Sequence, residues 1–225
     1  SQQTLLPTST ENNETPGPIL NDKLIINLDS VNEEYKKSEI IRGAPLEPGN
    51  SDYFYGNVLA SIVLLESNGI FDISTEDWTS TEESNVVSEI YDGLVWWLGV
   101  KPANVDLTIY YITNYDVPTV YEPINRPSSD QGLWISEAMN YLGASGSNYL
   151  NKVIDYNSNL RNIYGMDWAY TIFVVDSSND VNDMFADGYF AYVTCFGLSG
   201  FQCEFVVMTY GNDGYGINNM DELEH

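Results

Sequence analysis

The side chains able to do chemistry are numerous but of few kinds: 33 Asp and Glu stand beside a single His and two Cys. The most ordered arrangement of them is Asp176-Ser-Ser178-Asn-Asp180-Val-Asn182-Asp-Met-Phe-Ala-Asp187. Oxygen-bearing side chains recur there at alternate residues and again at the end of the loop, the periodicity with which a calcium loop turns its ligands toward one centre. Asp176, Ser178, Asp180, Asn182 and Asp187 are therefore candidate calcium ligands, of the weak affinity that suits extracellular concentrations. Two residues depart from that template: Val181 stands where glycine makes the sharp turn, and Asp187 replaces the longer glutamate. In a chain this acidic, a solvated turn is the plain alternative.

Other chemistries are excluded by inventory. His225 is the only histidine and the last residue, so a Ser-His-Asp or Cys-His mechanism would have to be oriented by a chain terminus. Zinc held by several His or Cys lacks its ligands. No Gly-Lys-Ser/Thr occurs, and Gly211-Asn-Asp-Gly-Tyr-Gly216 has the wrong glycine spacing for a dinucleotide loop. Carboxylates for glycoside hydrolysis are so abundant that no pair stands out. Glu122, in Tyr121-Glu122-Pro123-Ile124, reads as a buried, hydrogen-bonded group holding its loop, with a cleft-lining role as the alternative. Cys195 and Cys203 bracket a short loop. A bridge there would add about 2–3 kcal/mol by restricting the unfolded chain, and two buried thiols are the other reading.

The charge is 8 − 33 = −25, which repels phosphate backbones and anionic head groups, so neither nucleic acid nor a membrane surface is an expected partner. The longest apolar run, residues 58–65, falls far short of the roughly 18 residues of a membrane span. Hydrophobic residues at 43% and 17 Tyr with 5 Trp can fill a core, which rules out wholesale disorder. An acidic, Lys-poor, Tyr- and Asn-rich chain with a glycosylation triplet at Asn13-Glu14-Thr15 points to an extracellular or cell-surface protein.

The elements that must position these residues follow from pattern. Residues 1–50 read as a linker-like extension with a short strand at 23–28, broken by Pro16-Gly17-Pro18 and the Pro/Gly-rich 43–50. From 51 the pattern is regular. A strand spans 53–65, and Thr79-Ser-Thr-Glu82 forms a capping box. The helix it opens carries the stripe Val86, Val87, Ile90, Tyr91, Leu94, Val95, Leu98 and ends near Gly99 and Pro102. Residues 105–113 alternate as a strand, and 117–129, with its three prolines, is expected to be irregular. Helical spacing covers 130–142 and 148–164. An apolar strand at 168–175 suits the middle of a sheet, and strands are predicted at 189–196 and 204–210. The tryptophans read as core or interface anchors. This order describes an α/β fold with a mixed sheet.

Residues 56–222 resemble the upstream part of a metzincin-like zinc metallopeptidase catalytic domain. The resemblance is carried by the order of the stretches 58–65, 82–98, 105–113, 168–175, 189–196 and 204–210, and by Phe205-Val-Val-Met-Thr-Tyr-Gly-Asn before the Asn-capped Asn218-Asn-Met-Asp-Glu222. It implies a twisted, mostly parallel sheet with packed helices and an antiparallel edge strand against which an extended peptide substrate pairs. Tyr189, Ala191, Val193 and Cys195 would lie on that edge. It also implies zinc and peptide-bond hydrolysis in the parent protein, through a His-Glu-x-x-His helix. That motif is absent from this chain, so the chain is expected to be an inactive, truncated domain that binds no zinc. Leu223-Glu224-His225 reads as the start of an expression tag, which places the domain at 51–222. The alternative is a non-catalytic, calcium-binding extracellular module with a structural or ligand-binding role.

Overall fold

The computed structural model describes residues 25–30, 54–193 and 204–210. Cys195, Cys203, His225, the 31–50 linker and the 218–222 helix start lie outside them. Six strands form one sheet in the order β1-β3-β2-β4-β6-β5. They are β1 (Ile25–Asn27), β2 (Gly56–Ser67), β3 (Leu107–Thr119), β4 (Trp168–Val175), β5 (Ala191–Val193) and β6 (Phe205–Thr209). All pairings are parallel except β5 with β6. The protein is thus α/β, with a mixed, mostly parallel sheet, and the short strand of the N-terminal extension joins the same sheet as the rest.

Strand β2 shows why the sheet is buried on both faces. Side chains alternate along a strand. Val58, Ala60, Ile62 and Leu64 face one core, while Leu59, Val63 and Leu65 face the other, and all are buried. Strands β4 and β6 divide in the same way, with Ile172, Val174, Val206 and Met208 opposite Phe173, Val175, Phe205 and Val207. Each such side chain taken from water contributes about 1.5–3 kcal/mol. Parallel neighbours need crossover connections, and these bring helices to both faces.

Helix α1 (Ser80–Val100) covers the first face. Its capping box forms as read: Thr79 Oγ1 accepts from Glu82 N, and Glu82 Oε2 accepts from Thr79 N. Val86, Ile90, Leu94 and Leu98 are buried, a narrower stripe than the sequence suggests, since Tyr91 and Val95 stand in solvent on its margin. Helices α2 (Gln131–Tyr141) and α3 (Tyr149–Tyr164) cover the second face with Trp134, Ile135, Met139, Val153 and Leu160. Asn148 caps α3 through Asn151 N, and Gly165 ends it in the left-handed conformation that favours glycine. Of the tryptophans, Trp134 and Trp168 are buried and Trp96 is exposed.

The expected irregular stretch after 117 is corrected at its start, because β3 continues to Thr119 through Val117 and Pro118. Strand β1 pairs only with Ile109, Tyr110 and Tyr111. Beyond it, among the described residues, β3 pairs only with β2, and at such an edge a residue without N–H removes nothing from a ladder. A register shift between Val63 and Leu65, together with the left-handed Asp116, absorbs the change of direction. Strand β5 is also shorter than the predicted 189–196, beginning only at Ala191.

Candidate functional site

Strand β5 is last in the strand order, and its backbone geometry decides what it can offer. The Thr209 amide donates to the Phe190 carbonyl at 2.8 Å, and the register pairs Ala191 with Met208 and Tyr192 with Val207. Residues opposed in an antiparallel ladder alternate between hydrogen-bonded and non-bonded pairs. With 190 and 209 bonded, Tyr192 turns inward toward Val207, and the N–H and C=O groups of Ala191 and Val193 turn away from β6. Those two predicted edge residues therefore present a backbone that can pair with an extended chain. Tyr189 does not join them: it lies before the strand, 56% exposed, and its carbonyl accepts from the Phe185 amide at 2.7 Å. Cys195 lies outside the described residues.

The calcium-loop candidates lie in the connection from β4 to β5. Asp176 is buried at the end of β4, and its Oδ1 accepts from Ser178 N at 2.9 Å. Asp180 Oδ1 accepts from Asn182 N at 2.9 Å, a local turn. Asp187 faces another loop, its Oδ2 taking Ser128 N at 2.8 Å and Ser128 Oγ at 2.7 Å. Asp180 and Asn182 line a cavity of about 350 Å³ with Ile124, Asn125 and Phe185. Among the described residues, no group of three or more His, Cys, Asp or Glu is arranged to hold a metal ion. No helix among them is long and apolar enough to cross a membrane.

What the fold does bring together is an acidic cluster at the carboxyl ends of the parallel strands, where open α/β sheets place their ligands. Glu66, near the end of β2, accepts from Trp78 N at 3.2 Å. Glu122, just past β3, accepts from Thr75 N at 3.0 Å. Glu76 accepts from Asn179 N at 2.7 Å in the loop after β4, and Asp176 completes the group. Burial pushes the Glu122 carboxyl up to about 7, with Glu76 and Asp176 adding to the rise. The Glu66 carboxyl is also pushed up to about 7, chiefly by burial and further by Asp77, Glu122 and Asp176. Burial raises Glu76 and Asp176 as well.

The holding role read for Glu122 is what the structure displays: the residue is 2% exposed, and its carboxylate ties down the loop before α1. Glu66, Glu76 and the destination of Asp176 escaped sequence reasoning. A signal for two of them was present, since an acid directly follows each of the apolar runs 58–65 and 168–175. Beside the cluster, Arg126 makes a bidentate pair with Asp72 at 2.6 and 2.9 Å and reaches Asp130 at 3.0 Å. Its guanidinium also lies over the rings of Phe71 and Tyr121.

Compared with models of known protein families, with curated proteins and with solved structures, the chain finds no match. The functional reading therefore rests on the residues and their geometry.

Proposed function

We propose that residues 56–210 are the scaffold of a metzincin-like peptidase domain of a secreted or cell-surface protein, and that β5 is the edge on which an extended peptide is laid. One observation carries the reading: in an otherwise parallel sheet, the strand entering after β4 is an antiparallel edge, and the next strand, β6, inserts between it and β4. That is the order the resemblance implies, with the outward backbone of Ala191 and Val193 as the docking groups.

The residues present do not fit a zinc ion. The chain has one histidine and two cysteines, and no carboxylate group among the described residues is arranged as a metal site. On this reading the stretch supplies the sheet and the substrate edge, and the reaction centre belongs to sequence following β6 in the parent protein. Two experiments test it. Sequencing the parent gene beyond Glu222 should reveal His-Glu-x-x-His, and its absence overturns the peptidase assignment. Titration of this chain with a library of short unstructured peptides should shift the Ala191 and Val193 amide resonances. Ala191→Pro removes one outward N–H while sparing the pairing with β6, and should abolish the shifts. Peptide binding unaltered in that variant overturns the docking edge.

A further inference from the structure

The segment 73–78 connects β2 to α1, and it is fastened chiefly by side chains. Its amides at Thr75 and Trp78 donate to the carboxylates of Glu122 and Glu66. Its own Glu76 reaches across to Asn179 N. The Trp78 indole N–H adds one bond to the Leu65 carbonyl at 2.8 Å. By contrast, the preceding Phe71 and Asp72 amides are held by the Val120 carbonyl, and Asp72 is locked by Arg126. Neutral bonds from Ser74 Oγ to the Ser67 carbonyl at 3.4 Å and from Asn125 Nδ2 to Thr75 Oγ1 at 2.9 Å share the clamp on 73–78, whose acidic part is Glu66 and Glu122 from the ends of β2 and β3 beside the segment's own Glu76. Asp176 Oδ2 and Ser177 Oγ are buried there with no hydrogen-bond partner among the described residues, which leaves the cluster an acceptor for a carried proton.

We propose that Glu66 and Glu122 form a proton-dependent latch that keeps segment 73–78 clamped to the strand ends while they carry protons and releases it when both are ionised. The groups facing them are nearly all acidic. Asp77 and Glu76 come from the segment itself, and Asp176 and Asp180 from the loop after β4. Glu82 of α1 bears on Asp176. Arg126, whose partner Asp72 accepts from Glu122 N, is engaged by Asp72 and Asp130. Ionisation strengthens the Thr75 and Trp78 N–H bonds to the two glutamates, but burial opposes it by more and the neighbouring acids add to the opposition, so opening relieves the ionised groups by returning them to water.

The sign follows from linkage. Both carboxyls are raised in the closed state from 4.5 to about 7, so opening releases protons. Closure is most favoured below the ordinary glutamate value, where both states are protonated. That advantage is lost as the pH rises toward and through about 7. Within the window each group multiplies the opening constant by up to about ten-fold per pH unit.

Amide exchange of the full chain, followed by NMR at about pH 5.5 and about pH 8.5 and corrected for intrinsic rates, tests the latch. The Thr75 and Trp78 protection factors should fall roughly ten-fold or more at the higher pH and stay well below those of Ile172 and Phe173 in β4, which open only with the whole fold and decline in step with global stability. Glu66→Gln with Glu122→Gln keeps an acceptor oxygen at each place and removes both titrations, so it should flatten the dependence. Should that double variant not fold, the side-chain carboxyl resonances of Glu66 and Glu122 in the parent chain decide, with midpoints near 7 expected. The latch is overturned by equal Thr75 and Trp78 protection at the two pH values, by protection there as high as that of β4, by an unchanged dependence in the double variant, or by midpoints near the ordinary value.

Discussion

At the residue scale, Arg126 shows how one side chain organises several loops. It pairs with Asp72 before α1 and with Asp130 before α2, and its carbonyl accepts from Ala186 N in the loop before β5. Arg126→Ala should cost about 1–3 kcal/mol in urea unfolding, through the lost bidentate pair and the lost stacking on Phe71 and Tyr121. The side-chain hydrogen bond from Arg126 is the largest influence holding the Asp72 carboxyl below its ordinary value of 3.8. The stabilisation from that pair is present above the unfolded value and is lost as the pH falls through the folded one. The difference between Arg126→Ala and the parent should therefore shrink in strong acid, and a constant difference would contradict the pairing. Neither partner of Arg126 was readable from local spacing except Asp130, four residues on.

At the element scale, α1 tests the connection between capping and packing. Thr79→Ala removes the acceptor for Glu82 N while leaving the backbone N–H at 79 that donates to Glu82 Oε2, and should cost about 1 kcal/mol by chemical denaturation. Leu94→Ala empties a fully buried position between α1 and the sheet and should cost about 2–5 kcal/mol. Tyr91→Ala, on the exposed margin of the same helix, should change stability by only a few tenths of that. If Tyr91→Ala proved as costly as Leu94→Ala, the wider stripe read from sequence would be the correct one. Helix starts and the apolar strands were legible because capping chemistry and periodicity are local. The continuation of β3 through Pro118 was not, because its tolerance depends on β1 ending beside Tyr111.

At the scale of the whole molecule, a charge of −25 opposes compaction. Raising sodium chloride from about 0.05 to about 0.5 M should increase the melting temperature by screening that repulsion, and a fall would contradict it. The glutamates raised to about 7 act in the same direction through pH: the folded state binds protons that the unfolded state releases. Unfolding free energy should fall by roughly 2–4 kcal/mol between about pH 5 and about pH 8, after allowance for solvent screening, chiefly of the partly exposed Glu66. Calorimetry across that range checks it, and a maximum near pH 8 would refute it.

The chain's own pattern determined the α/β class, the capped helix and the central position of β4. Each of these depends on nearest neighbours in sequence or on the apolar period of one element. Only the tertiary structure decided that β5 pairs antiparallel at the end of the strand order, that Ala191 rather than Tyr189 presents its backbone there, and that Asp187 accepts from Ser128. It also decided that Glu66, Glu76, Glu122 and Asp176 meet. Strand order and crossover connections bring residues more than a hundred positions apart into one half-buried space, and no local period encodes that distance.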